Sequence, residues 1–163
     1  MSQQQGPAML SVNQTSATPS RELCAERIID AMIELAAPFR SQRIIVAGAR
    51  SREVMTELHR RGHTRVETTA SCGLPRGQCR LALLEGQLWS VKAIETTLCW
   101  LVHFLAPGSA LVIGVESMER GSNRRLASML ERLGFEIEAA TRCGHGAAFL
   151  ARRREAVEMG LAA

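Results

Sequence analysis

Gly48, Ala49, Arg50, Ser51 and Arg52 form the stretch of this chain best suited to holding a charged ligand. They follow the apolar run RIIVA and precede REVMTELHRRG, whose apolar residues recur at helical spacing. A glycine turn between a strand and a helix lets the backbone come close to a ligand, and the helix start offers oriented N–H groups to an anion. The Ser51 hydroxyl and the guanidiniums of Arg50 and Arg52 can converge on a phosphate there. The plainer reading is a pair of solvated arginines, although the helix dipole disfavours cations at that end. Glu67 lies 19 residues after Gly48, the spacing at which dinucleotide sites place the acid that meets a ribose. A polar residue on an alternating strand explains Glu67 as simply.

The elements that must position these residues can be read from periodicity and turn chemistry. TPSRELCAERIIDAMIELAAPF predicts a helix, with Thr18 or Ser20 as cap, Pro19 in the first turn and Pro38 as stop. RIIVAGA predicts a strand covered on both faces. SREVMTELHRRG predicts a helix with Ser51 as cap and Gly62 as stop. TRVETTAS alternates as a strand does, SCGLPRGQC is loop, and RLALLEG is a second buried strand. LWSVKAIETTLCWLVHFLAPG predicts a long helix stopped by Pro107-Gly108, ALVIGVE a strand, and SNRRLASMLERLG a helix. FEIEAAT and AAFLARR predict a hairpin around the five-residue loop RCGHG. The alternation of strands and helices predicts an α/β fold. Its sheet is mostly parallel, with about six strands, helices on both faces and a C-terminal antiparallel β-hairpin.

Composition narrows the function classes. A chain of 163 residues suits one domain, which we place at 19–154, between tails at 1–18 and 155–163. No apolar run is long enough to span a bilayer, and the first twenty residues lack the pattern of a secretory signal. We therefore expect a cytoplasmic protein with reduced thiols at Cys24, Cys72, Cys79, Cys99 and Cys143. Cys143-Gly-His145 and His59-x3-His63 lack the second pair a zinc site requires, so no metal is expected. The charge is +4, carried by 19 Arg and one Lys against 15 Glu and one Asp. That balance, with few aromatics for base stacking, argues against nucleic acid as a partner.

FLAPGSALVIGVE and LASMLERLGFEIEAA resemble the second half of the class I S-adenosylmethionine-dependent methyltransferases, which have a Rossmann-like sheet. The resemblance covers about residues 20 to 153. It implies S-adenosylmethionine as candidate cofactor, held around Gly48, Ala49, Arg50, Ser51, Arg52 and Glu67. It also implies strand order 2-1-4-5-7-6 in the family's labels, the third strand being missing. Glu85, at the end of the strand RLALLEG, is the candidate general base near a docked acceptor. The site motif departs from the family's. The turn that should read Gly-x-Gly-x-Gly has arginines at its second and third glycine positions, and the acid before it is Val46-Ala47. Thr69 or Ala70 stands where the ribose acid belongs, and Cys79 or Arg80 where a further Asp is common. About nine residues replace the helix and strand between TRVETTAS and RLALLEG.

We therefore expect a methyltransferase-like domain that is a non-catalytic interaction or regulatory descendant of the fold. An active methyltransferase with an altered site, and a phosphate or nucleic-acid binder through Arg50 and Arg52, are the alternatives. The shortened connection leaves Arg65 to Ala70 as a sheet edge, where a second copy of the chain or a protein partner can pair.

Overall fold

The computed structural model describes residues 19–69, 76–86, 91–116, 122–144 and 146–155, with side chains described from Glu26 onward. Both expected tails, apart from Glu155, lie outside these residues, as do Cys72, Ala70 and His145.

Ile44, Ile45 and Val46 are β-branched and sit best on a pleated surface. They open β1 (Ile44–Gly48), whose first four residues are buried. The other strands are β2 (Val66–Thr68), β3 (Cys79–Gly86), β4 (Leu105–Val115), β5 (Phe135–Cys143) and β6 (Gly146–Arg153). They form one sheet in the order β2-β1-β3-β4-β6-β5. β1 is parallel to β2 and β3, and β3 to β4, while β6 runs antiparallel to both β4 and β5. This is the expected order, and among the described residues no further strand lies between β2 and β3 in the chain.

Alternate residues of the strands feed two cores. On one face α1 (Pro19–Ala36) and α2 (Ser51–Arg60) pack Met32, Val54 and Leu58 onto Ile44, Val46 and Leu83. On the other, α3 (Val91–Leu101) and α4 (Ser122–Arg132) pack Leu98, Leu126 and Leu130 with Ile45, Ala47 and Leu84. Each such buried side chain stabilises the fold by roughly 1.5–3 kcal/mol. α1 lies very close to the sheet: a Cβ on Gly114 would overlap Met32 Sδ, and one on Gly146 would overlap Ile28.

Several local expectations need correction. The long helix does not reach Pro107-Gly108. α3 ends at Leu101, Val102–Phe104 forms a 3₁₀ turn, and β4 begins at Leu105. Pro107 lacks an N–H for a ladder, and Gly108 takes φ +69°, so the two are absorbed where the β3–β4 register shifts. The hairpin loop is shorter than RCGHG, because Cys143 pairs with Gly146 and only residues 144–145 lie between them. Gly144 has φ +59°, the left-handed backbone that tight hairpin loops need. β2 is described as Val66–Thr68, shorter than Arg65 to Ala70. Ser51 is the first helical residue of α2 rather than its cap. The cap position is Arg50, and its side chain makes no capping bond.

Candidate cofactor crevice

In open α/β sheets ligands bind beyond the C-terminal ends of the strands, where the strand order reverses. Here the chain steps outward from β1 to β2, and then back past β1 to β3 and β4. The reversal point is the crevice between the ends of β1 and β3. Gly48, Arg50 and Glu85 meet there.

Gly48 is required by geometry. Its φ is +113°, and a Cβ on it would overlap the carbonyl oxygen of Glu85. The turn after β1 is therefore pressed onto the end of β3. This contact brings the Arg50 N–H to the Glu85 carboxylate, with N···Oε2 at 3.0 Å. Glu85 thus holds the cap residue itself, while the N–H groups of Glu53 and Val54 donate to the Arg50 carbonyl. The Glu85 carboxylate accepts a backbone N–H at the helix start, where the dipole favours a negative group.

Glu85 is only 2% exposed, and its Oε1 has no hydrogen-bond partner among the described residues. Burial pushes its carboxyl above the ordinary carboxylate range, while the Arg50 N–H and charge pull the other way.

The Arg50 side chain turns back across the strand ends. Its guanidinium pairs with Glu53, in the first turn of α2, and with Glu116, just past β4, at 3.4 Å. Arg50 and Glu116 side chains are 12% and 9% exposed, so this ion pair is largely out of water. The Glu53 bond is the main cause of a raised Arg50 pKa, with the charges of Glu53, Glu85 and Glu116 adding to it and desolvation opposing it. One cation thus faces three carboxylates. Glu53 and Glu116 were not among the candidates read from sequence. The signal available for them was slight: an acid three residues after Arg50, and another closing the strand ALVIGVE.

The remaining candidates do not join this cluster. Ala49 is exposed beside it and Ser51 half-buried. Arg52 is exposed and lines a groove of about 540 Å³ between α1 and α2, with Ile29, Asp30 and Thr56. That groove runs along the two helices and is also lined by Glu53, the acid that pairs with Arg50. Glu67 pairs in register with Ile45 and carries an ion pair to Arg43 at 3.6 Å, toward the opposite end of the strands. Arg50 and Arg52 therefore do not converge.

Among the described residues, those at the crevice leave S-adenosylmethionine no open place beside Arg50. The crevice between the β1 turn and the end of β4 is crossed by the Arg50 side chain. A ligand there would have to displace the guanidinium from Glu53 and Glu116 and leave both carboxylates without it. Among the described residues no three His, Cys, Asp or Glu side chains are grouped to hold a metal ion. None of the described helices is long and apolar enough to cross a membrane.

No protein-family model matches the sequence, and neither does any curated protein. Solved structures do match the fold. The chain is similar to 1,6-didemethyltoxoflavin-N1-methyltransferase of Burkholderia thailandensis, solved with S-adenosylhomocysteine bound. There the TM-score is 0.62 at 14% identity, over 83% of this chain and 80% of that one. An S-adenosylmethionine-dependent methyltransferase of Listeria monocytogenes gives a TM-score of 0.54 at 10% identity, over 80% of this chain and 100% of that one. The [4+2]-cyclase SpnF also gives 0.54, at 13% identity, over 80% and 81%. At such identities the likeness is one of architecture. The chain has the class I S-adenosylmethionine-dependent methyltransferase fold, with β2 and β3 joined by residues 69–78 alone.

Proposed function

We propose that this chain is a non-catalytic interaction or regulatory descendant of the methyltransferase fold, acting in the cytoplasm. One observation carries the reading. Arg50 stands in the crevice where a cofactor would lie, and its charge and its backbone N–H are both satisfied by the protein's own carboxylates. An active site keeps such a crevice free for its ligand; here the ligand's place is taken by a side chain. The fold alone does not name a reaction, since its neighbours include methyltransferases and a [4+2]-cyclase.

The active-enzyme alternative draws on Glu85, a buried carboxyl with a raised pKa at a strand end, as a general base would have. Its place against the Arg50 N–H favours a structural role. The phosphate-binding alternative loses Arg50 to Glu53 and Glu116. Calorimetric titration with S-adenosylmethionine and S-adenosylhomocysteine tests the proposal. We expect no binding tighter than about 1 mM, equivalent to roughly −4 kcal/mol. Micromolar binding would reinstate the enzyme.

A further inference from the structure

Arginines far apart in the sequence are gathered at the other end of the parallel strands. Residues 37–43, 61–65 and 76–80 lead into β1, β2 and β3, and they contain six arginines and no Asp or Glu. Ile44 pairs with both Val66 and Leu81, so the residues just before these, Arg65, Arg43 and Arg80, come abreast on three neighbouring strands. Neighbouring strands are about 4.8 Å apart, and like charges at that spacing repel. Glu67 relieves Arg43, and Arg61 pairs with Glu57 and Asp30. Arg40, Arg65, Arg76 and Arg80 are exposed and pair with no acid among the described residues. Phe39, in the same group of loops, is 76% exposed.

We propose that this end of the sheet is the docking surface for an acidic segment of a partner protein, with Phe39 as its apolar contact. Guanidiniums bind carboxylates in paired hydrogen bonds, and four arginines unpaired with any acid among the described residues steer an acidic segment toward them. An aromatic left in water gains by being covered at an interface. A protein fits better than single-stranded nucleic acid, which is held by successive aromatic platforms. Phe39 is the one large exposed aromatic that the described residues place on these loops. The inference supplies a partner class for the interaction role proposed above. The cofactor titration tests that role and a peptide titration tests this surface, so each can fail alone.

The test is fluorescence anisotropy of the full chain with a labelled oligoglutamate peptide carrying one central leucine, and with an oligothymidylate of matched charge. The peptide should bind and should weaken as salt is raised. The triple variant Arg40→Glu, Arg65→Glu, Arg80→Glu should lose affinity by about tenfold or more, and Phe39→Ser by roughly fivefold. Reversing Arg124 and Arg125, exposed at the start of α4 on the opposite end, should change it by less than about twofold. If the triple reversal does not fold, the Gln triple is read instead, with a loss of roughly threefold or more expected. No binding of the peptide, equal loss in the α4 variant, or tighter binding of the oligothymidylate would each overturn the proposal.

Discussion

At the C-terminal ends of β1, β3 and β4 a single arginine meets three carboxylates, whereas the loops at the N-terminal ends of β1, β2 and β3 hold six arginines and no acid. In the first region the charge is answered from within. Arg50 is enclosed, its N–H is used, and its side chain crosses the crevice from the β1 turn to Glu116. In the second region four guanidiniums remain in water with no acid among the described residues to answer them. The difference teaches where this fold has room for a ligand. The end that binds small molecules in α/β proteins is self-satisfied here, and the end that usually serves only as scaffold is left open.

Substitutions can break or sharpen that contrast. The largest effect is expected at Gly48. Gly48→Ala puts a Cβ into the Glu85 carbonyl at a left-handed backbone position, so the turn must leave β3. A loss of about 3 kcal/mol or more in urea unfolding is expected. Arg50→Ala comes next. It leaves the enclosed Glu116 without its cation, while Glu53 stands half in water, at a cost of about 1–2 kcal/mol near neutral pH.

Glu85→Gln is a pH experiment. Because burial raises the folded-state pKa of Glu85, the folded protein holds this proton more tightly than the unfolded chain. Any stability linked to Glu85 is therefore complete below its unfolded pKa and is lost as pH rises through the folded value. Gln can still accept the Arg50 N–H and has no proton to lose. The variant should gain on the wild type as pH rises above the ordinary carboxylate range, measured as the difference in urea midpoint against pH. Glu57 behaves in the opposite sense. Hydrogen bonds from Arg60 and Arg61 hold its carboxyl down at about 2, so its contribution is present above its unfolded pKa and fades as pH falls toward that value. The smallest effect is expected at the open end. Arg80→Thr removes one of the charges abreast and should stabilise by about 0.3 kcal/mol at low salt, and by nothing measurable at high salt.

Much of the fold was legible because it rests on patterns of short range. The run Ile44–Val46 and the spacing of Leu126, Met129 and Leu130 each fix an element and a face without any distant contact. The hairpin loop and the start of β4 were less legible. There a register between strands, rather than a propensity, decides where pairing begins. The site was legible in part. Gly48 and Glu85 could be singled out from the chain, and they do touch. The destination of the Arg50 side chain could not be read, because Glu116 lies 66 residues away and meets it only when β4 is laid beside β3. Glu67 suits a ribose acid by count; in the fold it lies two positions short of the strand's last pairing contact and pairs with Arg43. The arginine face was invisible for the same reason as Glu116, since parallel register alone brings Arg43, Arg65 and Arg80 together.

The most direct test of the closed crevice is to remove its plug. S-adenosylhomocysteine should be titrated into the wild type, into Arg50→Gly and into Arg52→Gly, each checked for folding by circular dichroism. The account predicts no measurable binding by the wild type or by Arg52→Gly, whose side chain faces another groove, and a gain of at least about tenfold in Arg50→Gly. Wild-type binding in the micromolar range, undiminished or stronger when Arg50 is present, would contradict it.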